Sequence, residues 1–429
     1  MRYRLKRKTI AKYHHNNSYH FLVIFGLALL FIIFGFIVDT PKEIFIGLKN
    51  IIIDRDTLIT DYIKVGGLGS AFVNSGLLTL IFVFILWRMD VKLYGISFAA
   101  LLSITGFAFF GKNLFNVWFI IIGVYLYAKV KKEKFSKYIY IALFGTAMSP
   151  ISTEFIFTDY LPMYVGLLLG VFLGIFIGFI LTPVSTHLLK VHQGYNLYNI
   201  GFTAGLISTV IVSIAYSYGY KSETRMIISN SYNFEIGILL FSIFILLIIL
   251  GYLGNNKRIK NYFKLWKYPG RLVTDYIILE GLPLTLINMG LCGILSTIYV
   301  LIVGGDLSGP IIGGILVIVG FSALGKHPRN IIPIFVGVSI GALTKIWDIN
   351  NPSILLAALF GTSLAPIAGE FGFIIGSISA FIHLSVTINV INLHGGLNLY
   401  NNGFSAGLVA AFIIPIIREF RKEGINEIS

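Results

Sequence analysis

The chain alternates long apolar stretches with short polar runs. Seven stretches hold no charged residue over about the ~20 positions that a helix needs to cross a bilayer: Phe21–Val38, Leu68–Trp87, Leu93–Phe110, Leu161–Thr182, Ile236–Leu253, Leu282–Val303 and Leu307–Leu324. Shorter or glycine-broken stretches fill the gaps at Leu114–Ala128, Tyr138–Met148, Gly201–Tyr216, Ile331–Leu343, Ile354–Ala365, Phe371–Val390 and Phe404–Ile417. Lipid offers no partner to an unpaired backbone group, so each stretch is expected to be helical. The pattern predicts an all-α, polytopic integral membrane protein of about 14 transmembrane or re-entrant helices. The first stretch follows a basic N-terminus, as a signal peptide would. It is long for such a segment and ends Ile-Val-Asp-Thr without a small-residue cleavage site, so it reads as a retained helix.

Sliding the chain on itself reveals an internal repeat. The sequence TDYI recurs at Thr60–Ile63 and Thr274–Ile277, an offset of 214 (274 − 60). The same offset pairs Asn74 with Asn288, Gly95 with Gly309, Gly106-Phe107 with Gly320-Phe321, and Gly111-Lys112 with Gly325-Lys326. A second block, FGTAMSPISTEF at 144–155, matches FGTSLAPIAGEF at 360–371 with an offset of 216 (360 − 144). A third, HQGYNLYNIGFTAGL at 192–206, matches HGGLNLYNNGFSAGL at 394–408 with an offset of 202 (394 − 192).

Seven candidate spans per copy is an odd number, which turns the second copy upside down relative to the first. Lys and Arg placement supports that arrangement. With the N-terminus inside, 25 of the 33 basic residues fall on inner segments, as the positive-inside rule expects. The organisation read from this pattern is a basic cytoplasmic N-terminus (1–18), membrane repeat 1 (19–217), an external loop (218–232), membrane repeat 2 (233–417) with a basic cytoplasmic connector (254–271), and a cytoplasmic C-terminus (418–429). The richness in Ile, Lys, Asn, Phe and Tyr suggests a bacterial plasma membrane.

Composition narrows the classes further. Hydrophobic residues make up 56% and charged residues 12% of the chain, against roughly 25% charged in an average soluble domain. The net charge of +14 is spread over short inter-span runs, which marks it as a topology signal and argues against nucleic acid as a partner. The lone Cys292 leaves no disulfide, no Cys/His cluster and no implied metal or cofactor. The expected partners are the lipid bilayer and a small polar solute or ion, and association into a homo-oligomer stays open.

Corresponding interrupted segments in two inverted copies are the best pointer to a midplane site. Each FGT block holds a proline (Pro150, Pro366), a carboxylate four residues on (Glu154, Glu370) and a duplicated hydroxyl (Thr146, Thr362). These read either as broken helices whose ends hold a solute or coupling cation, or as helix ends with solvated glutamates. On the first reading Glu154→Gln or Glu370→Gln abolishes function without unfolding. The third block duplicates His192, Asn196 and Asn199 as His394, Asn398 and Asn401. The asparagines can cap the helix that follows and present its free amides to a ligand, or form a surface turn. Asn74 and Asn288 lie inside apolar spans and read chiefly as interhelical glue, with solute contact the second reading. Lys112 and Lys326 follow a glycine at helix ends and are expected to snorkel to headgroups. The basic connector Asn255–Arg271, with Tyr262, Trp266 and Tyr268, reads as amphipathic and lying on anionic lipid.

The duplicated HxGxNLYNxGFxAGL and FGTxxxPIxxEF blocks resemble those of a bacterial membrane family catalogued as domain of unknown function 1576, and the resemblance covers nearly the whole chain. That family brings no substrate or site residues. A fainter similarity links GYNLYN and GLNLYN, each before an AGL helix, to urea transporters, which also have inverted halves. The proline-rich pore motif of urea transporters is not recognisable here. The expected function is secondary transport of a small polar or ionic solute through a midplane site. A passive channel is the alternative, and a membrane-embedded lipid-modifying enzyme is disfavoured because nearly every polar residue of interest is duplicated, whereas a catalytic set would not be.

Overall fold

The computed structural model describes residues 17–220 and 225–420; expectations placed on 1–16, 221–224 and 421–429 lie outside the described residues. The first part of the chain forms α1 (Asn17–Val38), α2 (Pro41–Ile53), α3 (Tyr62–Gly66), α4 (Leu68–Arg88), α5 (Gly95–Phe107), α6 (Val117–Val130), α7 (Ile139–Gly145), α8 (Pro150–Ile156), α9 (Met163–Leu188) and α10 (Asn199–Ser217). The second part forms α11 (Asn233–Gly254), α12 (Tyr276–Glu280), α13 (Leu282–Ile302), α14 (Gly309–Phe321), α15 (Pro328–Thr344), α16 (Pro352–Gly361), α17 (Ala365–Phe371), α18 (Phe373–Val390) and α19 (Asn401–Phe420). The β-structure among the described residues is an isolated bridge between Thr60 and Ile227.

Among the described residues, nine helical segments are long and apolar enough to cross a membrane: α1, α4, α9, α10, α11, α13, the continuous Pro352–Phe371, Phe373–Leu393 and α19. The segment Ile139–Met148 meets the same standard only when joined to α8 across a 44° bend, where Pro150 removes a backbone donor. Four apolar helices among the described residues are shorter, α5, α6, α14 and α15. A helix of 13 residues such as α5 or α14 rises about 20 Å, short of a hydrocarbon core about 30 Å thick. The apolar runs around α5 and α14 are longer than the helices because their ends leave helical geometry and are tied to other parts of the molecule.

Those two short helices pack antiparallel at the centre. Gly95 at the start of α5 faces Ala323 just beyond α14, and Gly309 at the start of α14 faces Phe109 just beyond α5. The crossing is close because Gly106 meets Gly313: a Cβ on Gly106 would lie 2.7 Å from the Gly313 carbonyl oxygen. Helices α10 and α19 approach in the same way, Gly201 against Gly403.

The TDYI segments tie off the ends. Asp275 accepts a hydrogen bond from the Gly95 amide at 2.8 Å, and Asp61 accepts one from the Gly309 amide at 3.2 Å. The Tyr62 amide donates to the Phe109 carbonyl and the Tyr276 amide to the Ala323 carbonyl. Each aspartate thus satisfies an amide that the first helical turn leaves unpaired, and does so on the helix from the other part of the chain.

Beyond α5 and α14 the chain breaks at Gly-Lys. Asn74 donates to the carbonyls of Ala108 at 2.7 Å and Lys112 at 3.0 Å. Asn288 does the same for Ser322 and Lys326, both at 2.7 Å. Asn116 and Asn330 brace the same turns by donating to Gly111 and Gly325. Because these breaks lie inside the molecule, Lys112 and Lys326 are wholly buried, at 0% exposure. The expectation that they snorkel to headgroups is therefore corrected. The basic connector differs too: Tyr262 and Leu265 are buried against Tyr276, Leu284 and Ile287, and the Tyr262 hydroxyl donates to Asn288 at 3.1 Å.

Candidate functional site

The ends of α5 and α14 carry Phe107 and Phe321, and the residues just before α10 and just before α19 are Tyr198 and Tyr400. These side chains meet. Tyr400 packs edge-on against Phe107 with centroids 4.6 Å apart, Tyr198 against Phe321 at 4.7 Å, and the two tyrosine rings lie 5.6 Å apart. Phe360 stacks on Phe107 at 5.5 Å and Phe144 lies 5.7 Å from Phe321.

Both buried lysines reach this aromatic group. Lys326 Nζ sits 4.6 Å from the Tyr198 centroid and donates to the Tyr198 hydroxyl at 2.6 Å and to Thr362 Oγ1 at 2.7 Å. Lys112 Nζ lies 4.9 Å from the Phe107 centroid and makes no hydrogen bond among the described residues. A cation is attracted to the face of an aromatic ring, but that attraction does not replace the hydration that a buried ammonium has lost. The ion pairs among the described residues are Arg55–Glu154, Lys137–Glu133 and Arg225–Asp54, so neither central lysine has a carboxylate within 4.0 Å.

Two cavities abut the aromatic group. The first, of about 500 Å³, has Phe144, Tyr198, Phe321 and Tyr400 in its wall and opens beside Leu272 and Val273, at the end where Asp275 ties α5. The second, of about 300 Å³, has Phe110 and Phe360 in its wall and lies beside Leu58 and Ile59, at the end where Asp61 ties α14. Since α5 and α14 are antiparallel, the cavities lie at opposite ends of the pair. Their linings match at the sequence offsets. Leu272, Val273, Leu324, Tyr140, Phe144, Ser185, Thr186, Leu189, Leu197, Asn199 and Ile200 line the first; Leu58, Ile59, Phe110, Leu356, Phe360, Thr387, Ile388, Ile391, Leu399, Asn401 and Asn402 line the second.

The residues singled out in the sequence take distinct places. Asn199 and Asn401 each line one cavity. Behind them His192 Nε2 meets Asn199 Oδ1 at 2.9 Å and His394 Nε2 meets Asn401 Oδ1 at 2.8 Å, while the asparagine amides donate to Ser185 and Thr387. Asn196 and Asn398 accept from the amides of Tyr198 and Tyr400, both at 2.9 Å, and so set the tyrosines. No side chain caps α10; the polar groups of this block brace one another. Thr362 touches Lys326, and its counterpart Thr146 bonds back to the Leu143 carbonyl. Asn74 and Asn288 hold the Gly-Lys breaks, which is the glue reading.

The glutamates are not brought together, and neither lines either of these two cavities. Glu154 is buried, paired with Arg55 at 3.2 Å and bonded by the Tyr220 hydroxyl at 2.5 Å. Glu370 is exposed and accepts from the Tyr195 hydroxyl at 2.6 Å. Sequence reasoning named Lys112 and Lys326 but assigned them to headgroups, and it missed Phe107 and Phe321 as site residues and the buried Asp56, which accepts from Tyr62, Asn113, Asn116 and Thr153. The available signal was a duplicated Gly-Lys directly after an apolar stretch in each copy.

No curated protein and no solved structure matches the chain. One family model does, that of a protein of unknown function, DUF1576, over residues 40–217 and 254–419. The matched segments include both TDYI segments, both Gly-Lys breaks and both His/Asn blocks, and on that coverage the chain is a member of the DUF1576 family.

Proposed function

We propose that this protein is a membrane transporter of a small polar or ionic solute, built from two inverted repeats of seven segments, with the solute site at the aromatic group that two vestibules abut. The observation that carries this reading is the pair of cavities at opposite ends of α5 and α14 with linings matched at the repeat offsets. Inverted repeats place a shared site on an axis in the membrane plane. Exchanging the conformations of the two halves then exchanges the vestibules, which moves a solute from one face to the other. The vestibule volumes, about 500 and 300 Å³, are unequal, as expected of one side standing wider than the other. A carrier is favoured over an open channel because two separate cavities, and not one continuous pore, abut the aromatic group, with the buried Tyr198 and Tyr400 in the wall of the first. The reading includes a plasma-membrane location with both termini cytoplasmic.

Single cysteines at Thr186 and Ile388, in a Cys292→Ala background, test it. These residues occupy matching positions in the two vestibules. A membrane-impermeant thiol reagent is expected to label Thr186→Cys from one face of oriented vesicles and Ile388→Cys from the other. Labelling of both from the same face overturns the inverted arrangement and the transport path with it.

A further inference from the structure

We infer that the solute is an uncharged molecule with an apolar body and a carbonyl or hydroxyl oxygen, which accepts from Asn199 in the first vestibule and from Asn401 in the second; this rests on the transport reading above. Among the described residues, neither lining contains Asp, Glu, Lys, Arg or His. Both linings are mainly aliphatic and aromatic, with amides and hydroxyls between. A charged solute would give up its hydration there and meet no opposite charge. Lys326 stands behind Tyr198, donating to its hydroxyl, and lines neither cavity. Cavities of about 500 and 300 Å³ suit a small organic molecule.

The two amides are fixed in orientation. Asn199 Nδ2 donates to the Ser185 carbonyl and Asn401 Nδ2 to the Thr387 carbonyl, both at 3.1 Å. A carbonyl only accepts, so the atom facing it is the amide nitrogen. Each Oδ1 therefore faces a histidine, and Nε2 of His192 and of His394 carries the proton it receives. The Asn196 amide, donating to His192 Nδ1 at 3.4 Å, selects the same tautomer. An amide nitrogen has two N–H groups. Among the described residues each Nδ2 uses one on its carbonyl, which leaves the other for the cavity that the side chain lines. The same donor thus stands in both vestibules at the repeat offset, as a solute that binds from either face requires.

The deciding experiment protects the vestibule cysteines, Thr186→Cys and Ile388→Cys in the Cys292→Ala full chain, with probes of one shape: neutral benzamide, anionic benzoate, cationic benzamidine, and toluene, which has no oxygen. Benzamide is expected to slow thiol labelling of both cysteines in a saturable way. The half-protecting concentration should be about tenfold or more higher for benzoate and benzamidine, and about fivefold higher for toluene, the loss of one hydrogen bond. Asn199→Asp, which exchanges the free N–H for a carboxylate oxygen, is expected to weaken benzamide protection about tenfold at Thr186→Cys and to leave Ile388→Cys unchanged. Asn401→Asp should do the reverse, a local effect that misfolding would not give. The probe series decides the solute's charge even if neither aspartate variant folds. Better protection by benzoate or benzamidine, or none by benzamide, overturns the inference, and opposite-face labelling in the same vesicles leaves the transport reading standing. Equal protection by toluene, or unchanged benzamide protection in both aspartate variants, overturns the role given to the asparagines. Labelling of both cysteines from one face removes the transport reading and this inference with it.

Discussion

Asn74 and Asn288 make the same pair of carbonyl bonds, but Asn288 has an additional partner. Its Oδ1 accepts from the Tyr262 hydroxyl, whereas Asn74 Oδ1 makes no hydrogen bond among the described residues. Removing the amide leaves two buried carbonyls unsatisfied in either case, a cost of about 2–4 kcal/mol. Asn288→Ala should cost about 1 kcal/mol more than Asn74→Ala, because the buried Tyr262 hydroxyl is also stranded. Thermal unfolding in detergent compares them, and equal losses would remove Tyr262 from the balance. The glutamates diverge for a similar reason. Glu154→Gln breaks a buried contact with Arg55 and is expected to cost about 2–4 kcal/mol, whereas Glu370→Gln alters an exposed bond worth about 1 kcal/mol. Matching melting temperatures for the two variants would contradict this. The duplicated polar residues were legible in the sequence as a set, because repetition marks them. Which of them face a cavity and which brace a turn was not legible, since both duties select the same groups.

At the scale of elements, the contact between α5 and α14 governs the centre. An alanine Cβ at Gly106 would press to 2.7 Å from a backbone oxygen of the partner helix, which has no side chain to swing away. Gly106→Ala is expected to cost about 1–3 kcal/mol through overpacking. Gly26 in α1 has nothing within 4 Å of its Cβ position, so Gly26→Ala is expected to be neutral or stabilising by up to about 1 kcal/mol. Unfolding midpoints of the two variants test the difference, and comparable effects would mean that the crossing is not tight. The apolar runs were readable as helices because lipid and core demand the same backbone solution. Their lengths misled: Leu93 and Tyr94 precede α5 in non-helical geometry, with the Leu93 amide bound to Asn17, and Ala108 to Phe110 follow it in a turn. Hydropathy counts apolar residues and does not see where helical geometry stops.

For the whole molecule, the bonds that join the two parts of the chain span large separations. Asp61 reaches Gly309 across 248 positions, and Asp275 reaches Gly95 across 180. Each half therefore completes a helix end that the other leaves open, so neither is expected to form the central α5–α14 pair alone. Co-expression of the two halves as separate chains should yield a complex that survives purification, while either half expressed alone should aggregate. A stable, monodisperse single half would show that the crossed caps are dispensable.

The sequence by itself determined that the chain is a helical membrane protein of the DUF1576 family, because the hydrophobic pattern and the duplicated motifs are local and survive without coordinates. It also marked the Gly-Lys and TDYI positions as significant through their duplication. Only the tertiary structure decided that the short helices after residues 94 and 308 meet at glycines, that two lysines near them are buried without a carboxylate, and that two matched cavities flank the aromatics between them. The physical reason is that burial of a charge depends on where a break in a helix falls in three dimensions, and a lysine after glycine reads the same in sequence whether the break lies at a headgroup or at the centre.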